Sequence, residues 1–382
     1  MAIPQEYEGR EQTYLKHRVL TEYLVGWAHK RGSGGRYGPI RLWYVDCFAG
    51  PWKTEAHDLN DTSVAIGLQA LRDAAETWRA KAGRIELSAI FVEKNPRSYQ
   101  RLVEYLEKNR GDVRVEALNC EFGDAVSKID QLVGQDPAFL FVDPTGWKGA
   151  AMNYIAPLAA KHGRDVLINV MFDHIQRFKA HPQEKLRQQM REFFGLTDSD
   201  VPATLTEEEL FALYGSNVRE KCRVEYVADL AIRHPSKDRT YFRLVVGGHH
   251  PAVIELFRNI ERKVCGLEAG AVAEEVRKRG EAQGSLFEQV PDVDDRYAQL
   301  RDEGMDAAPG DVAALLESAG PRPYAEVWAH VLQRRHITRK DLNEVLVELR
   351  QSGEVEIMGM RPRQRVPDDD NVIGIAETKV GA

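Results

Sequence analysis

The chain has 382 residues, 43% hydrophobic and 29% charged, with a net charge of −7. These values exclude a disordered chain and a protein that coats nucleic acid through bulk positive charge, although a local basic face is compatible with an acidic total. The length exceeds the size at which a single core usually persists, so one large and one small domain are expected.

From Gln12 to about Arg31, Tyr14, Leu20, Tyr23, Leu24 and Trp27 recur at helical spacing, and the glycines from Gly32 to Gly38 break the pattern. The apolar run Leu42 to Val45 then ends in Asp46 and stops at Gly50-Pro51. Buried parallel strands read as continuous apolar runs, and ligands of open α/β sheets bind beyond the carboxyl ends of those strands. Two later runs end the same way: Ser88 to Val92 in Glu93, and Ala138 to Val142 in Asp143. Three carboxylates at strand ends imply one site.

Between these runs a helix capped by Asp61, Thr62 or Ser63 runs toward Gly83, and another begins near Pro96. Strand Val113 to Leu118, helix Ala125 to Leu132, helix Asn153 to Lys161 and strand Asp165 to Val170 complete an alternation that predicts a doubly wound parallel sheet. Residues 181–219 interrupt it as a helical insertion, and two β-rich runs joined by His234 to Asp238 read as an antiparallel hairpin. Helix Ala252 to Arg262 closes this domain, taken as residues 1–267. Charged and small residues over 268–308 read as a linker. Residues 309–382 show three helices and two short strands, the pattern of a winged helix-turn-helix.

The absence of any apolar run near the roughly 18 residues of a membrane span predicts no membrane association. The opening residues lack the basic-then-apolar order of a signal peptide, so a cytoplasmic location is expected. Cys47, Cys120, Cys222 and Cys265 are far apart without a Cys-x-x-Cys pair, which predicts structural thiols and no metal site.

The succession Tyr44 to Pro51, Phe91 to Asn95 and Phe139 to Trp147 resembles the three-Cys-motif partner proteins, a family with a class I methyltransferase-like fold. The resemblance extends from about Lys16 to Cys265, and the tail is similar to the winged helix found on some members. It implies a Rossmann-like α/β domain, S-adenosylmethionine as cofactor, and a partner carrying a three-cysteine, metal-cluster motif that this chain itself lacks.

S-adenosylmethionine needs a close backbone approach at its methionine end, an acceptor for its ribose hydroxyls and a polar group beside its adenine. The turn Ala49-Gly50 after Asp46 supplies the first, since glycine removes the obstructing side chain. Glu93 supplies the second and Asp124 the third. Each has a structural alternative: Gly50-Pro51 is a plain turn, and Glu93 and Asp124 are potential helix caps. Trp52 departs from the pattern, because methyltransferases and most relatives carry a second glycine there.

Asp143-Pro144-Thr145-Gly146-Trp147 partly resembles the Asp-Pro-Pro-aromatic turn of methyltransferases that act on base amines. In that reading Asp143 accepts a hydrogen bond from the amine, Pro144 stiffens the turn, and Trp147 stacks on an extruded base. The alternative makes Trp147 a packing residue. His174 is a second candidate base, or a structural histidine.

In the tail, Arg334, Arg335, Arg339 and Lys340 surround the third helix, and Arg361 and Arg363 fall in the expected wing. Phosphate contacts from such residues would be salt-dependent and sequence-tolerant, while nearby glutamates favour protein docking instead. The function expected is methyl transfer, directed at nucleic acid. The alternatives are a non-catalytic DNA- or protein-binding partner and a small-molecule methyltransferase.

Overall fold

The computed structural model describes residues 3, 4, 7, 10–50, 62–178, 181–197, 199–234, 237–282 and 296–376. The chain divides into two compact units, Met1–His249 and His250–Ala382.

The first unit is built on seven strands: β1 (Ile40–Asp46), β2 (Ile85–Val92), β3 (Arg114–Leu118), β4 (Ala138–Val142), β5 (Arg164–Val170), β6 (Tyr226–His234) and β7 (Lys237–Gly248). Their order is β3-β2-β1-β4-β5-β7-β6. The first five are parallel, and β7 runs antiparallel to both its neighbours. This is the expected Rossmann-like sheet of the methyltransferase fold, with its antiparallel hairpin. The order reverses beside β1, which pairs with β2 on one side and β4 on the other. That reversal is where an open α/β sheet leaves a ligand crevice.

Every residue of β4 and β5 is buried, which is why β4 reads as an unbroken apolar run, while β5 carries an apolar centre, Val166 to Ile168, between buried polar residues. Helix α1 (Glu11–Gly32) covers part of one face: its Tyr23 ring lies 5.3 Å and its Trp27 ring 6.0 Å from Phe139, which stacks on Tyr44. Burying side chains of this size stabilises by about 1.5–3 kcal/mol each. Helix α2 (Ser63–Arg79) is capped by Thr62, whose hydroxyl accepts from the Ala65 amide. Its Gly67 lies against the Tyr44 ring, where a Cβ would overlap. Helix α3 (Pro96–Asn109) is capped by Asn95, so Glu93 is not its cap residue.

Helices α4 (Phe122–Val133), α5 (Met152–Ala159) and α6 (Phe172–Phe178) follow, the last unforeseen from the sequence. The insertion holds α7 (Glu184–Phe194) and α8 (Glu207–Lys221), the latter with a Thr206/Glu209 capping box. Arg243 of β7 fastens α8 to the hairpin. It is 4% exposed, bonds Glu207 at 2.9 Å and Asp229 at 2.7 Å, also pairs with Glu208, and lies over the Phe211 ring. Burial works against its charge, but Asp229 and Glu208 outweigh that and hold its pKa above the ordinary arginine value. Arg243→Met is expected to cost about 2 kcal/mol, read from the urea midpoint of the full chain, because the charge-assisted bonds go while the stem's packing stays. A loss below about 0.5 kcal/mol would mean that solvent already screens these pairs.

The second unit begins with α9 (Ala252–Ala282), followed by α10 (Arg296–Ala319), β8 (Arg322–Pro323), α11 (Tyr324–Arg334), α12 (Arg339–Ser352), β9 (Val355–Met358) and β10 (Val372–Ile375). The strands form a small antiparallel sheet in the order β8-β10-β9. Two expectations change here. The helix starting at Ala252 opens the second unit rather than closing the first, so the division falls at His249/His250 and not near 267. The stretch 268–308, expected as a linker, is helical over 268–282 and 296–308, with 283–295 outside the described residues. Its Glu, Lys, Arg and Ala are strong helix formers.

Arg258 on α9 donates to the Leu332 carbonyl at 2.8 Å and pairs with Glu261 at 2.7 Å, while His336 meets the other Glu261 oxygen at 2.7 Å. These contacts tie α9 to α11 and to the turn before α12. Among the described residues no helix is long and apolar enough to cross a membrane.

Candidate functional site

The ends of β1, β2, β4 and β5 present Asp46, Glu93, Asp143 and Asn169. Asp46 is fully buried and its oxygens are taken by the chain itself. Oδ1 accepts from the Phe48 amide at 3.1 Å, and Oδ2 accepts from the Ser63 hydroxyl at 2.6 Å and from Tyr44 at 3.4 Å. It therefore shapes the turn Cys47–Gly50 through its own hydrogen bonds. Burial raises its pKa from 3.8 to about 6 against the pull of those hydrogen bonds, and Asp143 adds to the rise.

The same turn is anchored by Cys47 N to Phe141 O at 2.9 Å and Ala49 N to Val92 O at 2.8 Å. Gly50 then passes directly over Glu93, and a Cβ on Gly50 would overlap the carboxylate oxygen Oε2. Glu93 is 4% exposed, and its Oε1 accepts from the Asn95 amide at 2.5 Å. A bare backbone turn and an acidic side chain thus lie against each other at the β1 and β2 ends. The space a Cβ would take at Gly50 is filled by Glu93, whose Oε2 is an acceptor of the kind suited to the vicinal hydroxyls of a nucleoside. Asp124 lies exposed in the first turn of α4, whose cap position is Glu121, so it does not cap that helix. Trp52 lies outside the described residues.

Asp143 is bound on both oxygens. Lys16 of α1 pairs with Oδ2 at 2.6 Å, and Asn169 Nδ2 donates to Oδ1 at 2.6 Å. Neither partner was singled out in the sequence. Asn169 carried the same signal as the other strand ends, a polar residue closing the run Val166 to Ile168, whereas nothing local marked Lys16.

Trp147 is buried in the main core, 5.3 Å from the Phe178 ring, and Pro144 is buried as well. The face of Trp147 is thus not presented for a base to stack on, and the packing reading of this residue is the one the structure favours. Gly146, at φ +90°, brings the turn against His174, where a Cβ would stand 3.1 Å from Nδ1.

In the second unit three of the expected phosphate-binding residues are held by carboxylates. Arg335 is paired with Asp311, Arg361 with Asp368, and Arg339 with Asp369 at 2.7 Å while lying over the Tyr324 and Trp328 rings. A guanidinium already neutralised contributes little to a positive field, so these three do not form the expected basic face. Arg334, Lys340 and Arg363 are exposed. Lys340 lies 4.0 Å from Glu344, and Arg363 adopts φ +70°.

No protein-family model and no curated protein matches the chain, so the family resemblance rests on the motifs that carried it. Solved structures similar to it include P. horikoshii TYW2 in complex with MeSAdo, at 15% identity and TM-score 0.26. That match covers 57% of this chain and 60% of the other, less than two thirds of its length. The SAH-bound Podospora anserina methyltransferase PaMTH1 matches at 14% identity and TM-score 0.27, over 64% of this chain and 97% of the other. Loganic acid methyltransferase with SAH matches at 10% identity and TM-score 0.31, over 73% and 92%. Likenesses at this level carry no argument about substrate, which has to come from the residues themselves.

Proposed function

We propose that this protein is an S-adenosylmethionine-dependent methyltransferase acting on nucleic acid. The observation that carries the reading is the approach of Gly50 to Glu93 at the strand-order reversal of a methyltransferase-type sheet. The cofactor supplies an electrophilic methyl group on a sulfonium. Glu93 accepts the ribose hydroxyls, the Ala49-Gly50 backbone borders the methionine portion, and Asp124 lies toward the adenine. Asp46 acts behind them by holding the turn through the Phe48 amide.

Asp143 supports an amino group as acceptor, since a carboxylate at the β4 end can accept an N–H bond and keep the nitrogen oriented. In the second unit the succession α10, β8, α11, α12, β9, β10 supports the winged-helix reading. Among the expected residues, exposed Arg334 and Arg363, with Lys340 beside Glu344, offer charge to phosphate. The neutralised Arg335, Arg339 and Arg361 favour a second reading for this unit, docking to a protein such as a three-cysteine-motif partner. In that reading the first unit need not catalyse.

Incubation with S-adenosylmethionine labelled in its methyl group, together with single-stranded DNA, duplex DNA or RNA, tests the proposal. Label is expected in one nucleic acid and is expected to disappear with Glu93→Ala. No transfer to any of them, by protein that binds the cofactor, would remove nucleic acid as the acceptor. Gly50→Ala should weaken cofactor binding by about tenfold to a hundredfold, as expected when a methyl group forces a packed neighbour aside. Unchanged affinity would place the cofactor away from this turn.

A further inference from the structure

We infer that Asp143 and Asn169 together form a fork for the primary amino group of a nucleobase, and that Lys16 occupies this fork until the acceptor displaces it. The inference rests on the proposed transferase reading and adds Asn169 as a second acceptor for that amino group and Lys16 as its stand-in. It starts from register: Val142 pairs with Ile168, so Asp143 and Asn169 follow at the same level on adjacent parallel strands. Their side chains meet at 2.6 Å.

That contact fixes the Asn169 amide, because only its NH2 can face a carboxylate. Its Oδ1 is consequently turned away, and it is buried without a hydrogen-bond partner among the described residues. Asn169 is 1% exposed. A buried carbonyl left unpaired is costly, so such an atom near the carboxyl end of a strand marks a place where a donor is missing.

The second observation is Lys16. Its ammonium lies 2.6 Å from Asp143 Oδ2, at side-chain exposures of 16% and 19%, so the pair sits at the boundary with solvent. The lysine comes from α1, 127 residues distant in sequence, and places an N–H donor on the outer carboxylate oxygen. An amino group has two N–H donors. With Lys16 displaced, one can meet Asp143 Oδ2 and the other Asn169 Oδ1. A carbonyl at the same position would face two acceptors and be rejected. The fork therefore distinguishes adenine and cytosine from hypoxanthine and uracil, because a site built to pair an N–H is left unsatisfied by an analogue that lacks it.

The test uses the full chain with its donor pocket filled by S-adenosylhomocysteine, so that adenosine cannot bind there. Binding of adenosine against inosine, and of cytidine against uridine, is followed by ligand-observed NMR. At least one amino-bearing member is expected to bind about tenfold more tightly than its carbonyl counterpart. Lys16→Met should tighten that binding and Asn169→Ala should erase the discrimination, with S-adenosylhomocysteine affinity unchanged in both. Lys16→Gln serves if the methionine variant does not fold. Equal binding within both pairs, or a Lys16 variant that binds the amino-bearing nucleoside no better, overturns the inference. Loss of S-adenosylhomocysteine binding by the wild type would instead overturn the transferase reading, and is read separately by calorimetry.

Discussion

Glu261→Gln is expected to destabilise the second unit by about 3–5 kcal/mol, the range for removing one partner of a buried ion pair. Glu261 and Arg258 are 1% and 2% exposed in their side chains, so neither charge can recover solvation by moving outward. Burial alone would push the Glu261 carboxyl up. The Arg258 charge and His336 outweigh that and lower its pKa from 4.5 to about 2. A depressed carboxylate pKa contributes stability that is present above the unfolded value and lost as pH falls through the folded one. The window therefore runs from about 4.5 down to about 2, with about 3 kcal/mol at stake.

Urea unfolding of the full chain, followed near neutral pH and again near pH 3, should show the wild type losing part of its margin over the variant on acidification. Arg258→Met combined with Glu261→Leu should recover most of the loss, because replacing both partners leaves no buried charge. A single variant as stable as the wild type would mean that water reaches the pair.

Asp46→Asn is expected to act in the opposite direction, stabilising the first unit by about 3 kcal/mol near pH 8. Asp46 has a raised pKa, from 3.8 to about 6, for which burial is the largest cause. A raised carboxylate pKa gives stability that is full below the unfolded value and lost as pH rises through the folded value. The ionised side chain is thus a liability above about pH 6. Asparagine keeps an oxygen for the Phe48 amide and carries no charge. The difference between variant and wild type should shrink toward pH 4, and cofactor affinity should survive because both oxygens of Asp46 are engaged by the chain itself. A variant less stable than the wild type near pH 8 would show that the Ser63 and Tyr44 hydroxyl bonds outweigh the burial of charge.

The strand ends were legible because buried parallel strands announce themselves as apolar runs, and a polar residue at the close of such a run stands out. Asp46, Glu93 and Asp143 were found on that signal, and Asn169 carried it unnoticed. Lys16 could not be found that way, since its contact with Asp143 arises from how α1 packs on the sheet and not from local sequence. Trp147 looked like a stacking platform because an aromatic after Asp-Pro suggests one. Only the packing of Phe178 against it shows the ring turned into the core.

In the tail the arginines read as free charges, but Asp311 and Asp369, more than twenty residues away in sequence, neutralise Arg335 and Arg339, and Asp368 neutralises Arg361 from within the same segment. The composition after Glu268 fits a linker, yet the same residue types extend helices. α9 is held to its unit by Arg258 and Glu261, upstream of the stretch that looked loose.

Calorimetric titration of the full chain with S-adenosylhomocysteine, alongside Glu93→Ala, tests the central claim most directly. Binding of one equivalent by the wild type, lost or weakened by about a hundredfold in the variant, is the predicted result. A folded wild type that binds none, or a Glu93→Ala protein that binds as tightly, would contradict a donor site at the β1 and β2 ends.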